Sequence, residues 1–159
     1  MLIRAAQLDD LEAIFEIESL DFTLEEAASK ETLSKRIQNF SSHFLVLEQE
    51  GTILGYVNGA CCFQRNLEDW MYSMEQEEKD ANHFMVFGLA VHPDFQRKGY
   101  GTLLMNELQN RLRQESVEEI VLTCKASRIP FYRALGFVDE GISSSTHGNV
   151  IWHQMRKHV

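Results

Sequence analysis

The chain is short of three things that would each point to a class of function. It carries 15 Lys and Arg against 24 Asp and Glu, a formal charge of −9. A nucleic-acid partner is therefore not expected, because such binding needs a basic face to offset backbone phosphate. The acidic balance suits a cationic acceptor such as an amine, and it serves solubility equally well. Cysteine is scarce and odd in number, three in all, with Cys61 and Cys62 adjacent inside an apolar segment. That is neither a disulfide framework nor a zinc-ligand pattern, so no metal is expected. No apolar run is long enough to span a bilayer, and no charged start precedes an apolar stretch. The expectation is a cytoplasmic protein with no membrane partner, a monomer or homodimer. Repeats and low-complexity tracts are also missing. What is there, 44% hydrophobic and 25% charged residues over 159 positions, suits one domain spanning residues 1–159.

The most informative stretch runs from Phe84 to Met105. Phe84 to Val91 is almost continuously apolar, which predicts a strand buried on both faces. Pro93 lacks an amide hydrogen and should end it. Leu104, Leu108 and Leu112 then recur at helical spacing. Between strand and helix lies Gln96-Arg97-Lys98-Gly99-Tyr100-Gly101, a basic turn that opens onto a helix N-terminus. Unpaired first-turn amides, the helix dipole and the two cations make that turn a site for phosphate or pyrophosphate. Its spacing fits neither the dinucleotide-binding fingerprint nor a Walker A loop.

Around this centre the other elements fall into place. Leu2–Ala5 predicts an edge strand, and Asp9 with Glu12 resembles a capping box for a first helix. A second helix should carry Leu33, Ile37 and Phe40 on one face. Residues 43–48 and 53–63 predict a hairpin, with Gly55 and Gly59 marking a bulge or a close backbone approach. Residues 64–82 form a long acidic insertion with Trp70, Met71, Tyr72 and Met74; it is either a lid over a hydrophobic amine or a solvated excursion. Glu119–Cys124 predicts a strand beside the central one. Ser127 can cap the following helix, with Pro130 in its first turn and Gly136 at its end. Asn149–Met155 predicts the last strand. Together these give an α/β fold, a mixed twisted sheet of six to seven strands with helices on both faces.

Leu89-Ala90-Val91-His92-Pro93, the glycine-punctuated turn, Leu122-Thr123-Cys124-Lys125 and Ile129 to Phe137 together resemble the GNAT superfamily of N-acetyltransferases. The likeness covers nearly the whole chain and is greatest to arylalkylamine N-acetyltransferases and their bacterial relatives. It implies acetyl-CoA as cosubstrate, a small-molecule amine of arylalkylamine or polyamine type as acceptor, and direct attack without a covalent enzyme intermediate. It assigns the cosubstrate to Leu89, Ala90, Val91, Gln96, Arg97, Lys98, Gly99, Tyr100, Gly101, Thr102, Ser127 and Phe131, with β-strand amides near Leu89 and Val91 polarising the acetyl oxygen.

By the same resemblance Tyr132 protonates the departing thiolate, an ordinary phenol being protonated at neutral pH. The other reading of Tyr132 is a packed tyrosine with a core hydrogen bond. The sequence departs from the family at the base. Met85 and Phe87 stand where arylalkylamine enzymes have strand histidines, and neither accepts a proton. His83, His147 or an acid of the 64–82 loop are the substitutes, each of them also readable as structural. Cys124, Cys61, Cys62 and His92 read as structural. Two further functions share the pattern: acetylation of a protein or peptide amine, and noncatalytic acyl-CoA binding.

Overall fold

Glu50 and Gly51 both adopt left-handed backbone, with φ of 50° and 81°. That is the two-residue turn that matches the twist of a hairpin, and it joins β2 (Phe44–Gln49) to β3 (Thr52–Cys62). The computed structural model describes residues 1–159. Its remaining strands are β1 (Leu2–Ala5), β4 (His83–Val91), β5 (Glu119–Cys124), β6 (Val138–Ile142) and β7 (His153–His158). They form one seven-stranded sheet in the order β1-β2-β3-β4-β5-β7-β6. Every pairing is antiparallel except β4 with β5. The helices are α1 (Leu11–Asp21), α2 (Lys30–Asn39), α3 (Tyr100–Leu112) and α4 (Ile129–Ala134). No helix is long and apolar enough to cross a membrane.

Strand alternation divides the core. Leu45 and Leu47 of β2 join Leu104, Leu108 and Leu112 of α3 on one face, while Phe44 and Val46 meet Ile14, Ile17, Leu33 and Ile37 of α1 and α2 on the other. Each such side chain withdrawn from water contributes about 1.5–3 kcal/mol. The insertion at 64–82 covers the rest of the second face. Its Leu67 and Met71 are buried against Cys62, Met85 and Val121, so it is part of the core as well as of the surface.

Several local expectations shift. The first helix is anchored by Asp10 rather than Asp9: its carboxylate accepts from the Gln7 amide at 2.8 Å and from Arg4 at 2.7 and 2.9 Å. Ser127 caps nothing; it lies inside a 3-10 turn, and Arg128 precedes α4 without a side-chain cap. The last strand starts four residues later than expected, because positive φ at Gly148 and Asn149 keeps the preceding segment in turns. β6 was not legible as a strand. It is a half-exposed edge with Gly141 at φ 94° and a register shift between Asp139 and Ile142.

Candidate functional site

β4 changes partners halfway along. On the β3 side the register runs Asn58 to Gly88 and then Gly59 to Val86, which leaves Phe87 as an extra residue in a β-bulge. The alternation slips there: Phe84, Val86 and Leu89 all pack toward α3. On the β5 side, pairing covers only His83–Met85 with Glu119–Val121. Beyond it the strands part and enclose a cleft of about 1010 Å³.

The bulge is made possible by Gly59. A Cβ there would overlap the Met85 carbonyl oxygen and sit 2.6 Å from the Phe84 ring. Below the cleft, Val91 turns its backbone away from β3. Its carbonyl accepts from Gln96 Nε2 at 3.0 Å. His92 points its amide the other way, to Leu54 of β3 at 2.8 Å. By strand alternation Leu89 shares the orientation of Val91, so its N–H faces the cleft.

The turn after β4 has the conformation its glycines permit. Gly99, at φ 83°, precedes α3 and no side chain caps the helix. The amides of Tyr100, Gly101 and Thr102 therefore stay available, while Leu103 bonds back to Gly99. A side chain on Gly101 would meet the Phe131 ring at 3.3 Å, so this glycine lets α4 close against α3. Arg97, Lys125 and Arg128 add positive charge along the cleft wall.

Of the residues expected to hold the cosubstrate, Leu89, Ala90, Val91, Gln96, Arg97, Gly99, Tyr100, Gly101, Thr102, Ser127 and Phe131 all line this cleft. Lys98 does not; its ammonium sits 5.8 Å from the Phe95 ring centre. Free amides, a left-handed glycine and flanking cations fit a pyrophosphate. Gln96 turns back toward β4 and reaches Asp21 Oδ1 at 3.3 Å, so it fastens the loop.

The three candidate catalytic side chains separate. Tyr132 lines the cleft on α4, edge-on to Phe131 and Phe137, and no protein group hydrogen-bonds its hydroxyl. The core hydrogen bond of the alternative reading is thus missing. Burial, with the Cys124 thiol nearby, raises its pKa above the ordinary phenol value, so it stays protonated. His147 also lines the cleft. Its Nε2 lies 2.9 Å from the Glu26 carbonyl oxygen, which can only accept, so that nitrogen donates, and in the neutral tautomer Nδ1 holds the lone pair. Its ring stacks on Tyr72 with centroids 4.9 Å apart. His83 lies elsewhere. It is buried at the paired end of β4, held by Glu119 and Asn82 at 2.9 Å each, and does not border the cleft.

Met85 is fully buried under the insertion, and Phe87 packs against Tyr72 beneath the Arg36 guanidinium, 4.8 Å from its ring centre. Cys124 faces Met155, its thiol pushed up to about 11 by burial and by Asp139. The Asp139–His153 pair, at 3.5 Å, lies beside it on β6 and β7, yet that thiol remains protonated.

The cleft also gathers polar residues that no local pattern singled out. Glu18 is buried, accepting from the Ala28 amide at 2.9 Å and from the Tyr56 hydroxyl. Arg36 is buried, donating to Asn58 Oδ1 at 3.1 Å and to the Tyr72 carbonyl at 3.0 Å. It ties α2, β3 and the insertion into one wall. Glu26 pairs with Lys125 at 2.8 Å. Asp21 is raised to about 6, chiefly by burial. These residues are far apart in sequence, and only their meeting around β4 distinguishes them from ordinary surface charges.

A model described as the acetyltransferase (GNAT) family matches residues 11–137. Among curated proteins, the uncharacterized N-acetyltransferase ycf52 of Gracilaria tenuistipitata var. liui is 26% identical over 86 residues, 54% of this chain and 47% of that protein. The ribosomal protein bS18-alanine N-acetyltransferase of Salmonella typhimurium is 33% identical over 72 residues, 43% of this chain and 49% of that protein. The chain spans about half the length, or less, of the curated relatives it matches. Among solved structures, the loading GNATL domain of CurA from Lyngbya majuscula has a TM-score of 0.86 at 14% identity, with 99% of this chain and 96% of that one covered. That likeness is one of fold.

Proposed function

The chain belongs to the acetyltransferase (GNAT) family, and from that premise we propose that it is an acetyl-CoA-dependent N-acetyltransferase acting on a primary amine of a small molecule, of arylalkylamine or polyamine type. The observation that carries this reading is the opened β4–β5 seam, which leads from the free amides of Tyr100, Gly101 and Thr102 past Leu89 to Tyr132. Acetyl-CoA, when bound, supplies an activated thioester carbonyl. The first turn of α3 and Arg97 would hold its pyrophosphate. The Leu89 amide donates toward the developing oxyanion, a role worth roughly 3–4 kcal/mol where such a donor is removed. Tyr132 gives its proton to the departing thiolate. His147, which lines the cleft with its Nε2 held by the Glu26 carbonyl, takes the proton of the amine through Nδ1.

Tyr72, Ser73 and Trp152 wall the acceptor end, which favours a small acceptor over an extended one. The Salmonella relative, whose name gives an alanine of a ribosomal protein as its substrate, makes a peptide amine the second reading. Thiol release from acetyl-CoA is measured with arylalkylamines, polyamines and an alanine-ended peptide. Release stimulated by a small amine supports the first reading and release stimulated by the peptide the second. Binding of acetyl-CoA with no amine-stimulated release overturns both.

A further inference from the structure

A second cluster of reactive side chains lies apart from the cleft and shares none of its lining residues. His43, just before β2, projects between two carboxylates. Its Nδ1 lies 2.6 Å from Glu77 of the insertion, and its Nε2 2.9 Å from Glu115, which follows α3. Cys61, at the end of β3, donates its amide to the same Glu77 oxygen at 2.8 Å. One ring nitrogen of His43, the Cys61 sulfur and a Glu115 oxygen all lie within 4.8 Å of one another. They border a cavity of about 420 Å³ also lined by Glu78, Lys79 and Asp80.

We propose that His43, Cys61 and Glu115 form a binding site for a borderline-soft divalent transition metal, with Zn²⁺ as the fitting ion. Imidazole, thiolate and carboxylate are the three donor types that zinc takes, and three protein ligands leave a fourth position for water. His43 Nε2 is the ligating nitrogen, because Nδ1–H then remains on Glu77. A carboxylate on the far nitrogen is the usual support of a metal-bound histidine. Metal bonds of 2.0–2.3 Å at tetrahedral angles put ligand atoms roughly 3.3–3.7 Å apart, so the Glu115 oxygen must draw back from His43 Nε2, now 2.9 Å away, to admit the ion, and Glu115, being exposed, can supply that movement.

Without metal, Glu77 and Glu115 flank His43, one at each ring nitrogen. Burial alone would lower its pKa, but the bonds to Glu77 and Glu115 raise it overall. The Cys61 thiol is pushed up by burial and by the same two carboxylates, and it is protonated as well. A divalent ion needs a free lone pair on His43 Nε2 and a thiolate at Cys61, so binding displaces the protons those atoms carry. Affinity therefore rises with pH. The bound ion would fasten the start of β2, the end of β3 and the segment after α3 together, with the insertion attached through Glu77.

This inference stands whether or not the proposed acetyl transfer does. The whole chain, stripped with chelator, is titrated with Co²⁺ as a spectroscopic probe and then with Zn²⁺ in competition. The expected result is one equivalent bound with a sulfur-to-cobalt charge-transfer band, and release of protons on Zn²⁺ binding. Cys61→Ser should abolish the band and Cys124→Ser should leave it unchanged. Glu115→Gln, at an exposed position, should keep the fold and weaken binding at least roughly tenfold, the scale of a lost ligand or its support. A band that survives Cys61→Ser, affinity unchanged in Glu115→Gln, or no cobalt band at all overturns the proposal.

Discussion

The two ends of β4 make an instructive contrast. At His83–Met85 the strand is paired on both sides, and its polar neighbours satisfy one another. His83 meets Glu119, and Arg156 reaches Glu119 at 3.3 Å and Glu140 at 3.0 Å. At Phe87–Val91 the same strand is paired on one side only, and its surroundings hold groups without partners, the Tyr132 hydroxyl and the first amides of α3, beside the raised carboxyl of Asp21. One strand thus anchors the fold at one end and presents chemistry at the other. A single extra residue at Phe87 separates the two regimes.

Breaking the anchored end should cost the most. Gly59→Val would drive a side chain into the Met85 carbonyl and the Phe84 ring, and a loss of about 4 kcal/mol is expected in urea unfolding, at the upper end for overpacked sites. Arg156→Ala would remove a buried guanidinium that bonds half-buried Glu119, exposed Glu140, the Arg65 carbonyl and Asn66. We expect about 3 kcal/mol by the same measurement, for the loss of several bonds at one buried group. At the open end, Tyr132→Phe removes a hydroxyl that no protein group uses. It should lower kcat about 100-fold, the lower range for a general acid, while Tm and the affinity for coenzyme A stay unchanged. An equal fall in Tm would return Tyr132 to a packing role.

The smallest effect concerns pH. Asp21 has its folded pKa raised to about 6 from 3.8, so the folded chain holds that proton more tightly than the unfolded one. Its contribution therefore favours folding below pH 3.8, weakens as pH rises toward 6 and is a constant penalty above that. In Asp21→Asn, urea midpoints followed from pH 4 to 7 should lose that part of their slope and gain stability at pH 7. A profile parallel to that of the unmodified chain would contradict the burial argument.

What could be read in the sequence was the part governed by short-range pattern. The apolar run of β4, the glycine-punctuated turn and the leucine stripe of α3 lie within one continuous stretch, and all sit where the pattern puts them. The hairpin of β2 and β3 was legible for the same reason. β6 was not, because an edge strand with a glycine kink and one exposed face carries little alternation. The position of His83 was also hidden. Being close to the central strand in sequence says nothing about which end of it borders a cleft that opens only after Phe87. His43, Cys61 and Glu115 come from three separate elements, so no ligand spacing could announce them. The expectation of a metal-free chain rested on spacing alone, and the folded geometry is what motivates the zinc proposal.

The bulge at Phe87 also writes a signature into the backbone that needs no assay of turnover. Ala90 is locked into the ladder with β3, whereas the Leu89 amide points into open space. Neighbouring amides should therefore exchange with deuterium at very different rates, Leu89 quickly and Ala90 slowly. A ligand seated along the open edge would slow the first and leave the second alone, so residue 89 would act as a built-in gauge of whether the cleft is filled.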